Sequence, residues 1–310
     1  PHFRQIRDFP VSGIVPEDDP LLAFYRWYWR EGDGWNGYCT ETVDTYERAL
    51  GRKLVTFYDP AVRVPPVWGS GGAVSHLNHW TYVYPEPFNI SFVTTCTEAM
   101  ARGRPGQRVF AMAQAISYRS ELAPIPVEPK GTKPAWAISN PKAPYISTPP
   151  DLMREALWTL FSHKLDGIFT HGWQSVLDCT AYGFKPGSYA YTNDGTKEAF
   201  SNAFARAGVP LGPLFKALPE AESDVAVLES APAWFFARVG GWGGGGSRYN
   251  AIGTMTTLAN LMPRVLYDEE IAETGIPPNV KVLLMPGCDV LAKTTFEAVR
   301  RFQAKGGVVF

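Results

Sequence analysis

The sequence predicts an α/β protein with parallel sheets in two domains, and three observations carry that reading. Short apolar runs end in loops that mix polar and aromatic residues, as in "LDGIFTHGWQSVLD". Such runs alternate with helical patterns, the arrangement of a parallel sheet covered by helices. The alternation then restarts after "ALPEAESD", which reads as a linker with the boundary near Glu220. Composition is that of a globular chain: 310 residues, 45% hydrophobic and 19% charged, with 29 basic against 30 acidic side chains. A net charge of −1 without a Lys/Arg-rich run excludes the electrostatic footprint of a nucleic-acid binder. No run approaches the roughly 20 apolar residues of a spanning helix, so a membrane partner is not expected.

In chain order, "GIVPEDDP" ends a strand at Glu17, and "LLAFYRWYW" has a helical pattern. "KLVTFYDP" and "HWTYVYPEP" read as short strands, each closed by a proline-containing loop. The helical "SFVTTCTEAMARG" leads into "QRVFAMAQAISY", a near-continuous apolar strand of the kind buried on both faces. Gly106 to Pro150 is proline-rich and aperiodic, a length of loop that is functional or disordered. Pro149 and Pro150 open a helix whose Met153, Leu157, Leu160, Phe161 and Leu165 fall at helical spacing, and the strand Gly167-Ile168-Phe169 follows. "GTKEAFSNAFARAG" is a helix that "GVPLGP" closes. Beyond Glu220 come strand "VAVLES", a glycine-rich turn, helix "YNAIGTMTTLANLM", strands "RVLYDEE" and "VKVLLMPG", helix "AKTTFEAVRRFQAKGG" and strand "VVF", a small doubly wound parallel domain. Pro1 and Phe310 read as cut ends of a longer chain, so no targeting segment can be judged.

Candidate sites follow from chemistry. "GGWGGGGS", Gly240 to Ser247, superficially resembles a phosphate-cradling turn, but it is saturated with glycine around Trp242 and no Lys-Ser or Lys-Thr follows; a surface loop is expected, and no cofactor. Cys288 follows a strand without a later His and acid partner, and Cys39, Cys96, Cys179 and Cys288 lack metal-ligand spacing, so free thiols are expected. Carboxylates and aromatics recur at strand ends: Glu17, Asp59, Glu86, Glu121 and Asp178, with Trp80, Tyr82, Tyr118, His171 and Trp173. Paired carboxyl groups flanking a sugar are what glycoside cleavage requires. Aromatic faces supply stacking surface. Each carboxylate alone also fits a helix cap or a partner for Arg63 or Arg119.

"VSGIVPEDDPLLAFYRWYWREGDGWNG", "HGWQSVLD" and "LLMPGCDVLAKTTFEAVRRFQAKGGVV" together resemble, in order, the carboxyl-terminal half of the catalytic barrel of family 42 glycoside hydrolases, of β-galactosidase type, and the flavodoxin-like domain that follows it. The resemblance covers nearly the whole chain in order, through short motifs. It implies the later strands of a (β/α)8 barrel over residues 1–218 and a flavodoxin-like α/β domain over 222–310. It implies hydrolysis of a galactoside or a related plant or algal glycan by a homo-oligomer, a trimer in the family. The acid/base role maps onto Glu17, though Pro16 stands where the family has Asn. Trp173 maps onto the sugar pocket. Apart from the resemblance, Trp80, Tyr82, Glu86, Tyr118, His171 and Arg63 are the further substrate-binding candidates. The family's nucleophile falls in a "M-E-Q"-like stretch, and "AMAQAIS" has Ala113 there. Glu121 or Asp59 then replaces it, or the mechanism inverts, or the chain is a catalytically silent carbohydrate-binding homologue.

Overall fold

The computed structural model describes residues 12–59, 67–79, 87–118, 144–177, 189–236 and 246–310, and it is a mixed α/β structure with parallel sheets. Two units are distinguished by their internal contacts. The first comprises Pro1–His79, Phe92–Phe110 and Pro219–Phe310; the second comprises Trp80–Ser91 and Ala111–Leu218.

In the first unit, β1 (Gly13–Val15) leads into α1 (Pro20–Arg26), which starts where the Asp19 carboxylate accepts the Leu21 and Leu22 amides at 2.9 and 3.3 Å and Pro20 occupies the first turn. A π-helical turn, Trp27–Glu31, follows, then α2 (Trp35–Leu50), ended by Gly51 in the left-handed conformation, φ 65°. β2 (Phe57–Tyr58) and β3 (His76–Leu77) pair in parallel, and β3 pairs in parallel with the start of β4 (Arg108–Gln114). Helix α3 (Pro87–Ala101) precedes β4. The unit boundary falls inside β4, between Phe110 and Ala111.

The second unit continues β4 and adds β5 (Ile116–Tyr118), β6 (Tyr145–Ser147), helix α4 (Pro150–Phe161), β7 (Gly167–His171) and helix α5 (Asp194–Ala203). β7 lies beside β4, and β5 pairs antiparallel with β6. Its core gathers Ala111, Ala113 and Ala115 of the β4 edge with Met153, Ala156, Leu157 and Leu160 of α4, and Ile168, Phe200 and Phe204 pack against it. The apolar stripe read from spacing is therefore the buried face of α4. Two expectations are corrected here. "QRVFAMAQAISY" is not one strand: at Ala115 the backbone bonds switch, its N–H to His171 O at 2.8 Å and its carbonyl to Thr148 N at 2.9 Å, so β5 joins another sheet. "GVPLGP" does not close a helix, because α5 passes through a π-helical turn, Phe204–Gly208, into α6 (Val209–Ala217). Pro210 falls in the first turn of α6, where a missing N–H costs little.

The remainder of the first unit holds β8 (Val225–Glu229), α7 (Ala231–Phe235), α8 (Gly246–Leu258), β9 (Arg264–Tyr267), α9 (Asp268–Thr274), β10 (Val282–Leu284), β11 (Val290–Ala292), α10 (Lys293–Ala304) and β12 (Val308–Val309). Four of these strands form a parallel sheet in the order β12-β10-β8-β9, so the winding reverses between β8 and β10. "RVLYDEE" is strand only to Tyr267, since Asp268, Glu269 and Glu270 make the first turn of α9, where the helix dipole favours acidic side chains. Ala226, Leu228, Leu266 and Leu283 of the sheet pack with Ile271 of α9 and Ala298 and Val299 of α10. β11 pairs in parallel with β1, Gly13 opposite Val290. Cys39, Cys96 and Cys288 are free thiols, the first two buried and Cys288 part-buried, and Cys179 lies outside the described residues. Among the described residues no helix is long and apolar enough to cross a membrane.

Candidate functional site: a tyrosine row ending on His171

The second unit brings aromatic side chains into successive contact. β5 and β6 set Tyr118 directly opposite Tyr145, and an isolated parallel bridge sets Tyr145 beside Tyr189. Cross-strand partners share a face, so their rings meet: centroids are 5.1 Å apart from Tyr118 to Tyr145 and 5.1 Å from Tyr145 to Tyr189. The row ends on His171, at the carboxyl end of β7, 5.5 Å from the Tyr189 ring and with Nε2 3.1 Å from its hydroxyl. All four side chains are half-buried. Burial, then the neighbouring phenols Tyr145 and Tyr118, push the Tyr189 hydroxyl above its ordinary pKa, so at neutral pH it is a protonated donor and acceptor.

The strands beneath the row are tied by hydroxyls. Thr148 Oγ1 donates to Gln114 O at 3.1 Å and lies 3.2 Å from Ser117 Oγ; Ser147 Oγ donates to Ser175 O at 2.6 Å and accepts the Thr192 amide at 2.9 Å; Thr196 Oγ1 donates to Thr148 O at 2.6 Å. Each of these bonds satisfies a polar group that burial would otherwise penalise, which fixes the row on a rigid base. Gly172 adopts φ 80° and turns the chain from His171 into the short helix Trp173–Ser175. Trp173 is 44% exposed and meets Phe200 edge-on at 5.5 Å, a half-open indole on the α5 side.

The carboxylate candidates that can be described are in the first unit. Glu17 receives the Thr294 amide at 2.7 Å and ion-pairs with Arg26. Burial raises its carboxyl pKa, but the Thr294 amide and the Arg26 guanidinium outweigh that and leave it below the ordinary glutamate value. Asp59 follows β2 and accepts Asn78 Nδ2 at 2.6 Å. Glu121, Glu86, Trp80, Tyr82 and Arg63 lie outside the described residues, as does the glycine loop from Gly240 to Gly245.

Side-chain alternation along β4 sets the direction that Ala113 faces. It packs with Ala111 and Ala115 against the helices, so the opposite face belongs to Met112 and Gln114. Sequence reasoning missed Gln114, Tyr145 and Tyr189. The signal for the first was present: Gln114 is the only amide in the apolar run Val109–Ile116. The tyrosines became a row only through pairings that no local pattern encodes.

The first unit has two further polar features. A groove of about 990 Å³ runs along α2, lined by side chains of both signs including Arg30, Asp33, Glu41, Lys53 and Arg104. At the ends of β8 and β9, Glu229, Asp268, Glu269 and Glu270 are buried. Burial, then Glu269, pushes the Asp268 carboxyl up to about 7, although Ser230 Oγ and the Ala231 amide donate to it at 3.4 and 2.8 Å. Among the described residues no group of three His, Cys, Asp or Glu could hold a metal ion. No protein-family model and no curated protein matches this chain.

Proposed function

We propose that this chain is a carbohydrate-active protein whose second unit binds a neutral galactoside or related plant or algal glycan. The observation that carries the reading is the Tyr118–Tyr145–Tyr189–His171 row, a half-buried cluster of rings set at 60°, 78° and 74° to their neighbours, which offers separate ring faces and edges beside phenol and imidazole groups. Sugars present C–H faces that pack on aromatic rings and a rim of hydroxyls that need neutral donors and acceptors. A rigid aromatic surface with a few placed polar groups has that complementarity.

The family 42 glycoside-hydrolase resemblance supplies the larger frame. Parallel pairing of β2, β3 and β4 supports later strands of a (β/α)8 barrel, and the order β12-β10-β8-β9, with its reversal next to β8, supports a flavodoxin-like domain. Assembly into a homo-oligomer is part of the same proposal and rests on the resemblance alone. Two activities share the platform, hydrolysis and binding without turnover. The state of Glu17 favours the second: a general acid needs its pKa raised, whereas this carboxylate is held ionised by Arg26 and the Thr294 amide.

The test is a paired panel on the full chain, with aryl and natural galactosides for turnover and galactose, lactose and neutral oligosaccharides for calorimetric binding. Binding without turnover is expected. Turnover that disappears in Glu17→Gln would establish the hydrolytic reading instead, and neither binding nor turnover would sink the carbohydrate assignment.

A further inference from the structure

From the geometry of β4 and β7 we infer that Gln114 is the buried hydrogen-bond donor that reads a ligand oxygen beside the tyrosine row, a specificity residue that rests on the carbohydrate reading. On β4 the helix-facing positions are Ala111, Ala113 and Ala115; on β7 Ile168 packs against that same cluster. With a side-chain period of two, Met112 and Gln114 on one strand and Phe169 and His171 on the other occupy the face turned away from the helices. The Ala115 amide bonds to the His171 carbonyl at 2.8 Å, which brings Gln114 and His171 to the same end of adjacent strands. His171, the end of the row, in turn touches Tyr189.

Gln114 is 4% exposed, and its Nε2 has no hydrogen-bond partner among the described residues. Its own carbonyl accepts Thr148 Oγ1, and the next residue's amide and carbonyl bond to His171 O and Thr148 N. Leaving an amide N–H₂ buried without an acceptor is costly in a folded protein, and such groups concentrate where a ligand or ordered water completes them. A purely structural position in the run Val109–Ile116 would be served by any apolar side chain of similar length. The amide here offers two N–H donors on a neutral group, the chemistry that a hydroxyl or ring oxygen of a neutral sugar accepts and that a cation does not.

The experiment compares wild type with Gln114→Met, which keeps length and removes the amide, and with Tyr189→Phe, which removes a hydroxyl at the end of the row. Probes are galactose, lactose and a neutral oligosaccharide mixture, read by calorimetry alongside the thermal midpoint of the unliganded protein. The expected result for Gln114→Met is binding weakened about tenfold or more with the midpoint unchanged or raised, because a donor that lacked a partner has been removed. Two outcomes overturn the inference: binding within twofold of wild type, or a midpoint that falls by several degrees, which marks the amide as structural. If wild type binds none of the probes, the platform reading fails with it. If wild type binds and Tyr189→Phe weakens binding while Gln114→Met does not, only the role of Gln114 falls.

Discussion

Replacing Gly172 by Ala tests how the chain is turned between His171 and Trp173. Gly172 sits at φ 80°, a conformation that costs an L-residue about 1–2 kcal/mol. A Cβ there would stand 2.4 Å from Ile116 Cγ2 and 3.4 Å from its Cβ and Cγ1. Ile116 is 2% exposed and cannot swing aside, so the contact adds an overpacking cost of about 1–3 kcal/mol. The sum, roughly 2–5 kcal/mol, is read by urea denaturation of the full chain. A double-mutant cycle separates the parts. In an Ile116→Ala background the nearest remaining side-chain atom is the Cβ at 3.4 Å, an ordinary contact, so the second substitution should cost only the backbone share. A loss under about 0.5 kcal/mol for Gly172→Ala alone, or equal losses in both backgrounds, would refute the reasoning.

Asp268 makes the first unit sensitive to pH. Its folded carboxyl lies at about 7, above the unfolded value, so its contribution is fully present below the unfolded pKa and is lost as pH rises through about 7. Denaturation midpoints measured across that window should therefore fall with pH and flatten in Asp268→Asn, with residual slope from Glu269, whose pKa is also raised; an unchanged slope would count against this. Glu17 has the opposite sign. Its depressed carboxyl contributes stability above the ordinary carboxylate range and loses it as pH falls through the folded value. Glu17→Gln should cost about 0.5–1 kcal/mol, the worth of a part-exposed pair with Arg26, and leave glycan affinity within twofold by calorimetry; a tenfold loss of affinity would move Glu17 into the ligand site.

Local chemistry made some elements legible and left others hidden. Pro149, Pro150 and the spacing of Met153, Leu157, Leu160 and Phe161 mark α4 without any tertiary information, because a proline start and a single apolar stripe suit few other structures. His171 and Trp173 stand out in the sequence for a related reason, the abrupt change from an apolar strand to Gly172. By contrast, the break at Ala115 carries no turn residue, since Val109 to Ile116 is buried throughout and only its partners change. The pairing of Gly13–Val15 with Val290–Ala292 joins opposite ends of the chain, and no periodicity encodes it. The tyrosine row belongs to the same class. Tyr118, Tyr145 and Tyr189 are far apart in sequence and meet only because two pairings put them in register.

Calorimetric titration of lactose and neutral galactose-containing oligosaccharides into wild type and Tyr145→Leu tests the central claim most directly. Tyr145 is the middle of the row and meets both neighbouring rings, so its loss removes the platform's continuity while an apolar side chain stays on β6. The account predicts saturable binding to wild type and a loss of about two- to tenfold in the variant, the equivalent of about 0.5–1.5 kcal/mol for one aromatic face taken from the ligand. Equal affinity in the two proteins, or no binding to wild type, would contradict it.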